Sequence, residues 1–375
     1  MAGLYLHIPF CKQKCSYCDF HFSTSLKHKP ALIEALMKEI EYRRSQLQEP
    51  VKTIYFGGGT PSMLSDEELK RIMDQLYRNY NIDPEIEFTL ECNPDDLTPE
   101  KVAGLKRLGV NRLSIGVQSF FEEDLRFFNR AHTMQQAERS IQLSQDAGIT
   151  NITIDLIYNT PQLSLAKWEK NLDKVEQFQV PHLSAYTLTV ENNTALSHLV
   201  NTRQVRMPGD ELAVAQFNML VERTKAIGMI QYEVSNFGKE GYFSQHNSNY
   251  WKGVEYLGFG PSAHSYTGQK RSWNVAHNLK YIEAIRSGNR FCEEEMIDEQ
   301  TAYNEYVLTR LRTIWGIDRA YLAGHFSADI NRHFEAELAK YLKTSYLQSE
   351  NNRIRLTSEG LVLADSIASD LFIVS

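Results

Sequence analysis

The chain has 375 residues, 42% of them hydrophobic and 23% charged, with a formal net charge of -7. That length and apolar content suffice for one large domain and a smaller one, and the acidic balance opposes non-specific nucleic-acid binding. No basic-then-apolar leader opens the chain, and no run nears the roughly 20 apolar residues that span a bilayer, so the expectation is a soluble, cytoplasmic protein.

Leu4–Ile8 reads as a first strand and leads at once into Cys11, Cys15 and Cys18, spaced Cys-x3-Cys-x2-Cys. Three thiolates on one loop can hold three irons of a 4Fe-4S cube and leave the fourth open to another ligand. His21 supplies the alternative, a tetrahedral zinc site of three cysteines and one histidine. The odd total of five cysteines, Cys92 and Cys292 being the others, speaks for a reducing compartment rather than a disulfide.

Leu32, Ile33, Leu36, Met37 and Ile40 form the stripe of a first helix, and Val51–Phe56 a second strand that ends at Gly57-Gly58-Gly59-Thr60-Pro61. Bare glycine backbone can come close to a ligand and offer N–H and C=O groups to an ammonium and a carboxylate, or it can simply turn. A capping box at Ser65 and Glu68 opens the helix of Leu69, Ile72, Met73 and Leu76. Strand Glu87–Leu90 ends at Glu91, Thr98-Pro99 starts a helix, and strand Arg112–Val117 ends at Gln118. Gly148 closes the helix of Ala137, Ile141 and Leu143, strand Ile152–Ile157 carries Asp155, Ser164 opens another helix, and Leu183–Leu188 is the sixth strand. Six such units predict an α/β fold, a partial (β/α)6 TIM-like barrel over residues 1–235, with chemistry at the carboxyl ends of its strands. The cysteine loop, the glycine loop, Glu91, Gln118 and Asp155 all fall where an ordinary barrel would bury Val or Leu or simply turn.

Residues 236–290 read as a connecting segment. They hold His246-Asn247-Ser248-Asn249-Tyr250-Trp251, which offers an imidazole for axial iron ligation and two aromatic faces for a flat ring, or else a histidine among core aromatics. His277-Asn278-Leu279-Lys280-Tyr281 repeats the pattern without the tryptophan. From residue 291 the pattern turns helical, through Tyr306, Leu308, Leu311 and Ile314, then Phe334, Leu338 and Leu342, a short strand Arg353–Thr357, and a last helix through Leu361, Ala364 and Ile367. A smaller, mainly helical, winged-helix-like domain over 291–375 is the expectation. Its 14 Asp plus Glu against 8 Lys plus Arg, a balance of -6, favour a lid or partner surface over DNA.

The cysteine loop followed by Gly-Gly-Gly-Thr-Pro resembles the radical S-adenosylmethionine proteins. His7-Ile8-Pro9-Phe10-Cys11, Gly116-Val117-Gln118-Ser119-Phe120, Asn129-Arg130-Ala131-His132 and Asp155-Leu156-Ile157-Tyr158 narrow the likeness to one branch and carry it over nearly the whole chain. That branch holds oxygen-independent coproporphyrinogen III dehydrogenase and the HemW haem chaperones. The resemblance implies a 4Fe-4S cluster on Cys11, Cys15 and Cys18, with one or two S-adenosylmethionines. It implies that Tyr5 and Tyr17 lie beside that cofactor, that Gly58, Gly59 and Thr60 line its methionine part, and that Glu91 accepts its ribose hydroxyls. Gln118, Arg130 and Asp155 match positions that contact a second cofactor molecule or the substrate. His246, Tyr250 and Trp251 match the haem-binding HNxxYW segment. The dehydrogenases carry a fourth cysteine two residues after the third, where this chain has Phe20, and a long amino-terminal arm where its first cluster cysteine is already residue 11. Both departures favour a haem chaperone that serves acceptors such as respiratory enzymes over an oxidative decarboxylase. A homodimer and transient membrane association are compatible with the resemblance, and no residue pattern speaks to either.

Overall fold

The computed structural model describes residues 1–374. Six strands run parallel and in chain order: β1 (Ala2–Ile8), β2 (Val51–Gly58), β3 (Ile82–Cys92), β4 (Arg112–Gln118), β5 (Asn151–Tyr158) and β6 (His182–Thr187). The connections are α1 (Lys29–Tyr42), α2 (Asp66–Asn79), α3 (Pro99–Arg107), the pair α4 (Glu122–Phe127) and α5 (Met134–Asp146), and α6 (Leu165–Gln177). Local chemistry starts these helices where the sequence says it should. Ser65 and Glu68 exchange both capping-box bonds, at 3.1 and 2.7 Å, and the Thr98 side chain accepts from the Lys101 N–H ahead of a proline-led α3.

Alternation along the strands gives the sheet two unlike faces. Ile54, Phe56, Phe88, Leu90, Leu113, Ile115, Ile152, Ile154 and Leu183 are buried in the apolar core with the helices. Their neighbours, Thr53, Glu87, Thr89, Arg112, Ser114, Thr153, His182 and Ser184, are buried as well but polar. A barrel interior is ordinarily filled by branched apolar side chains, so a polar inner face marks a working interior.

After α7 (Ala195–Asn201) and α8 (Asp210–Ala226), the chain adds more strands to the same sheet. The short β7 (Ile230–Gln231) and β8 (Asn236–Gly238) follow β6, and α9 (Gln245–Lys252) crosses to the opposite edge. There β9 (Tyr256–Phe259) pairs parallel with β1, and β10 (His264–Tyr266), β11 (Lys270–Asn274) and β12 (Cys292–Met296) continue antiparallel, with α10 (Asn278–Ser287) packed on α1. Residues 236–290, read as a connector, thus supply four strands and two helices, and Cys292–Met296 pairs with β11 rather than within the helical unit. The twelve strands run in an open order, with β12 and β7 as the outer strands.

The carboxyl-terminal unit has its own core of Tyr303, Val307, Leu311, Leu322, Phe334, Leu338, Ile354 and Ile367. Its helices are α11 (Glu299–Leu311), α12 (Arg319–His325), α13 (Ala328–Tyr341), α14 (Ser358–Leu361) and α15 (Ala364–Asp370), and its sheet joins β13 (Ile317–Asp318) to a hairpin, β14 (Leu347–Glu350) and β15 (Arg353–Leu356). The lone strand expected near residue 353 is therefore the second arm of a wing, and the expected last helix is two short ones broken at Val362–Leu363. No helix among the described residues is long and apolar enough to cross a membrane.

Candidate functional site

The cysteine loop leaves β1 and is pinned from several sides. Cys11 N–H donates to the Ser23 carbonyl at 3.1 Å, Ser16 N–H to the Phe128 carbonyl at 3.0 Å, and the Asn129 amide to the Lys14 carbonyl at 2.7 Å. Lys12 pairs with Asp95 at 2.5 Å and also with Asp96, which ties the loop to the segment after β3. All three cysteines are free thiols on the wall of one cavity of about 460 Å³, shared with Tyr17, Gly58, Gly59, Thr60, Glu91, Gln118, Arg130 and Asp155.

The cavity's polar groups grip one another across different strand ends. Thr60 Oγ1 donates to Cys11 Sγ at 3.5 Å, and Arg130 reaches Cys15 Sγ at 3.3 Å, Asn93 Oδ1 at 2.6 Å and the Gly116 carbonyl at 2.8 Å. Arg130 Nε is buried with no partner among the described residues, so it remains a donor in reserve. Burial raises the Cys11 thiol and pushes Cys18 up to about 11. Burial likewise lifts Glu91 to about 7 and Asp155 to about 6, while the Tyr55 hydroxyl (2.7 Å) and the Gly58 N–H (3.2 Å) hold Glu91 in place. Gln118 ends β4 at φ 67°, a left-handed conformation that costs a side-chain-bearing residue, at an irregularity in its pairing with β5. The glycines are required by space. Gly58 has φ 103° and a Cβ there would stand 2.6 Å from the His7 ring, while one on Gly59 would meet the Phe10 nitrogen at 2.7 Å and the Ile8 carbonyl at 2.8 Å.

A larger cavity, of about 880 Å³, adjoins the first and shares Gly58, Glu91 and Phe20 with it. Tyr5, His7 and His264 come to it from the sheet, His21 from the cysteine loop, Tyr250, Trp251 and Lys252 from α9, and Tyr306, Arg310 and Tyr321 from the carboxyl-terminal unit. The zinc alternative loses its fourth ligand here: His21 faces this second space, with Nε2 on Asn278 Oδ1 at 2.7 Å. Among the described residues no three His, Cys, Asp or Glu side chains converge on a single ion, an arrangement that a cubane bound at three separate iron corners does not need.

The first part of the chain, residues 5–175, matches the Radical SAM superfamily, and residues 297–363 match the HemN C-terminal domain. "Heme chaperone HemW" of Bacillus subtilis is 32% identical, covering 98% of this chain and 98% of its own, and that of Mycobacterium tuberculosis is 34% identical, covering 98% and 94%. The chain belongs to the HemW family. Its fold is that of the Escherichia coli radical SAM enzyme HemN, a coproporphyrinogen III oxidase, at a TM-score of 0.85 over 99% of this chain and 90% of that one; at 22% identity the likeness concerns the fold alone.

Within this HemW-family framework most of the expected site residues do meet. Tyr17 is in the cysteine cavity, its ring edge-on to Phe128 at 5.3 Å. Tyr5 instead lines the larger cavity, its hydroxyl 3.2 Å from His7 Nδ1 and its ring stacked on Tyr55. His246 is the main departure. It is 1% exposed, with Nδ1 on Thr53 Oγ1 and Nε2 on the Tyr250 hydroxyl, both at 2.8 Å, and its ring lies on Tyr55 at 5.1 Å. Burial holds its pKa down to about 3. An imidazole with both nitrogens engaged and no open face is a core residue, while Tyr250 and Trp251 beside it do reach the cavity. The look-alike His277 caps α10, accepting from the Lys280 N–H at 3.3 Å.

Sequence reasoning missed Ser114 and Asn93 in the cysteine cavity and Lys252, Arg271 and Arg310 in the larger one. Ser114 was within reach of alternation, since it shares a face of β4 with Gly116 and Gln118. The three cations had no such signal, because α9, β11 and α11 meet only in the folded chain.

Proposed function

We propose that this HemW-family member is a haem chaperone, holding a 4Fe-4S cluster on Cys11, Cys15 and Cys18 with S-adenosylmethionine beside it, and passing haem in the cytoplasm to acceptors such as respiratory enzymes. The observation that carries the proposal is the joining of two unlike cavities at Gly58, Glu91 and Phe20, one walled by thiols and glycine backbone, the other by aromatic rings and histidines.

The donor set fits the cluster: three free thiols on one pinned loop, two of them already receiving hydrogen bonds, with no fourth cysteine on the cavity wall apart from the buried Cys92. When bound and reduced, such a cluster supplies one electron for cleaving the sulfonium of S-adenosylmethionine. The chain's own part is placement. Gly58 and Gly59 let backbone approach the cofactor, Thr60 and Arg130 donate toward sulfur, and Glu91 offers its remaining lone pairs to ribose hydroxyls. Gln118, Arg130 and Asp155 line the same cavity, where a second cofactor or the cargo's edge would be held. Phe20, 68% exposed at the join, presents an apolar ring where a dehydrogenase carries a thiol.

Anaerobic reconstitution followed by haem titration tests the reading. The expected result is uptake of iron and sulfide, uptake of haem, and transfer of that haem to an acceptor apoprotein. Conversion of coproporphyrinogen III to protoporphyrinogen IX, or absence of haem uptake by cluster-loaded protein, defeats it.

A further inference from the structure

Resting on the haem-carrying reading, we infer that the porphyrin occupies the larger cavity with its iron on His264 and its two carboxylate arms on Lys252 and Arg310. His246 then acts as a latch behind Tyr250 rather than as the axial ligand.

Charge on the cavity wall points there first. Arg271 is neutralised by Glu305, but neither Lys252 nor Arg310 makes an ion pair among the described residues. The Lys252 ammonium lies over the Trp315 ring at 4.4 Å and the Arg310 guanidinium over Tyr306 at 5.3 Å. Desolvation and then the nearby Arg310 lower the Lys252 pKa, and Arg310 Nε is buried without a partner among the described residues. Two uncompensated cations side by side at a tyrosine-lined cavity suit a flat apolar body with two carboxylates on one edge. Haem has that shape.

The ligand then follows by asking which imidazole is available. Both nitrogens of His246 are engaged, as are those of His7, on the Tyr5 hydroxyl at 3.2 Å and the His21 carbonyl at 2.9 Å. His21 spends Nε2 on Asn278 and retains only Nδ1, the nitrogen hindered by its own Cβ. His264 meets no hydrogen-bond partner among the described residues, and its ring is held nearly parallel to Trp273, 6.3 Å away. Partial burial and the nearby Arg271 lower its pKa.

Haem and haem dimethyl ester, titrated into the cluster-loaded full chain and followed by visible absorption and paramagnetic resonance, test the assignment. In His264→Gln, with an unchanged melting temperature as the folding check, the imidazole-ligated spectrum is expected to disappear and added imidazole to restore it. The Lys252→Gln/Arg310→Gln double variant should bind haem about tenfold more weakly, as for loss of a charged hydrogen bond, and the dimethyl ester unchanged. His246→Gln should keep the wild-type haem spectrum. Loss of that spectrum in His246→Gln but not in His264→Gln, or equal weakening toward acid and ester, overturns the assignment and leaves the chaperone reading standing. Wild-type protein that takes up no haem overturns both.

Discussion

The two cavities are neighbours built by opposite means. The expected residues of the cysteine cavity come from one continuous β/α series, most of them at strand ends or in the loops that follow, and its polar groups close on one another through bonds as short as 2.6 Å. The larger cavity forms where β1, α9, β11 and α11 come together, and beside the Arg271–Glu305 pair its walls carry aromatic rings and two cations, Lys252 and Arg310, that make no ion pair among the described residues. A resident cofactor needs a rigid, preorganised cradle. A cargo that must leave is better served by a wall between two packed units, which can part without unfolding either.

The sharpest way to break the comparison is to remove a thiol. Replacing Cys11, Cys15 or Cys18 with alanine should abolish cluster loading, read as iron and sulfide content after anaerobic reconstitution, while haem binding persists. If haem uptake is lost together with the cluster, the cavities are not separable.

Next in size is Gly59→Ala, whose methyl group would strike the Phe10 nitrogen and the Ile8 carbonyl. Because both obstacles are backbone, a loss of about 3 kcal/mol in denaturant stability is expected, together with the cluster. A stability loss under 1 kcal/mol would mean that the loop yields and the cradle is softer than described.

His246→Ala should cost about 2–3 kcal/mol by orphaning Thr53 and the Tyr250 hydroxyl. Its pH dependence has a definite sign. An unfolded histidine gains a proton near pH 6.5, whereas buried His246 resists until about pH 3, so its contribution is complete above pH 6.5 and is lost as the pH falls toward 3. The penalty of the substitution, taken from urea midpoints, should therefore shrink between pH 7.5 and pH 5. A constant penalty would mean that the ring is not held neutral.

Glu91→Gln is the mildest change and runs the other way. Folded Glu91 keeps its proton to about pH 7 while the unfolded carboxyl releases it near 4.5, so the native state loses stability as pH rises through that window. The variant should gain on wild type by about 2 kcal/mol between pH 5 and pH 8. Calorimetry should show it binding S-adenosylmethionine more weakly, and unchanged affinity would remove Glu91 from the ribose side of the cavity.

The alternation of polar and apolar residues in the strands, the capping box at Ser65, and the Cys-x3-Cys-x2-Cys spacing were enough to place the parallel core and the cysteine cavity, because each is a local pattern repeated at strand ends. The HNxxYW phrase was only partly legible for the same reason: spacing shows that an imidazole stands beside two aromatic rings but not which way it turns. Only packing directs His246 inward to Thr53 and leaves Tyr250 and Trp251 facing the cavity.

The sequence by itself determined which segments become strands and helices and which loop carries the thiols, since backbone period, capping and ligand spacing act over a few residues. Tertiary structure alone decided that residues 256–296 extend the sheet past β1, and that Lys252, His264 and Arg310 share one wall. Those outcomes depend on burying surfaces from elements far apart in the chain, Gly3 beside Tyr256 in the sheet and Arg310 against the Lys252 carbonyl 58 residues away, and no local pattern records which distant partner will cover them.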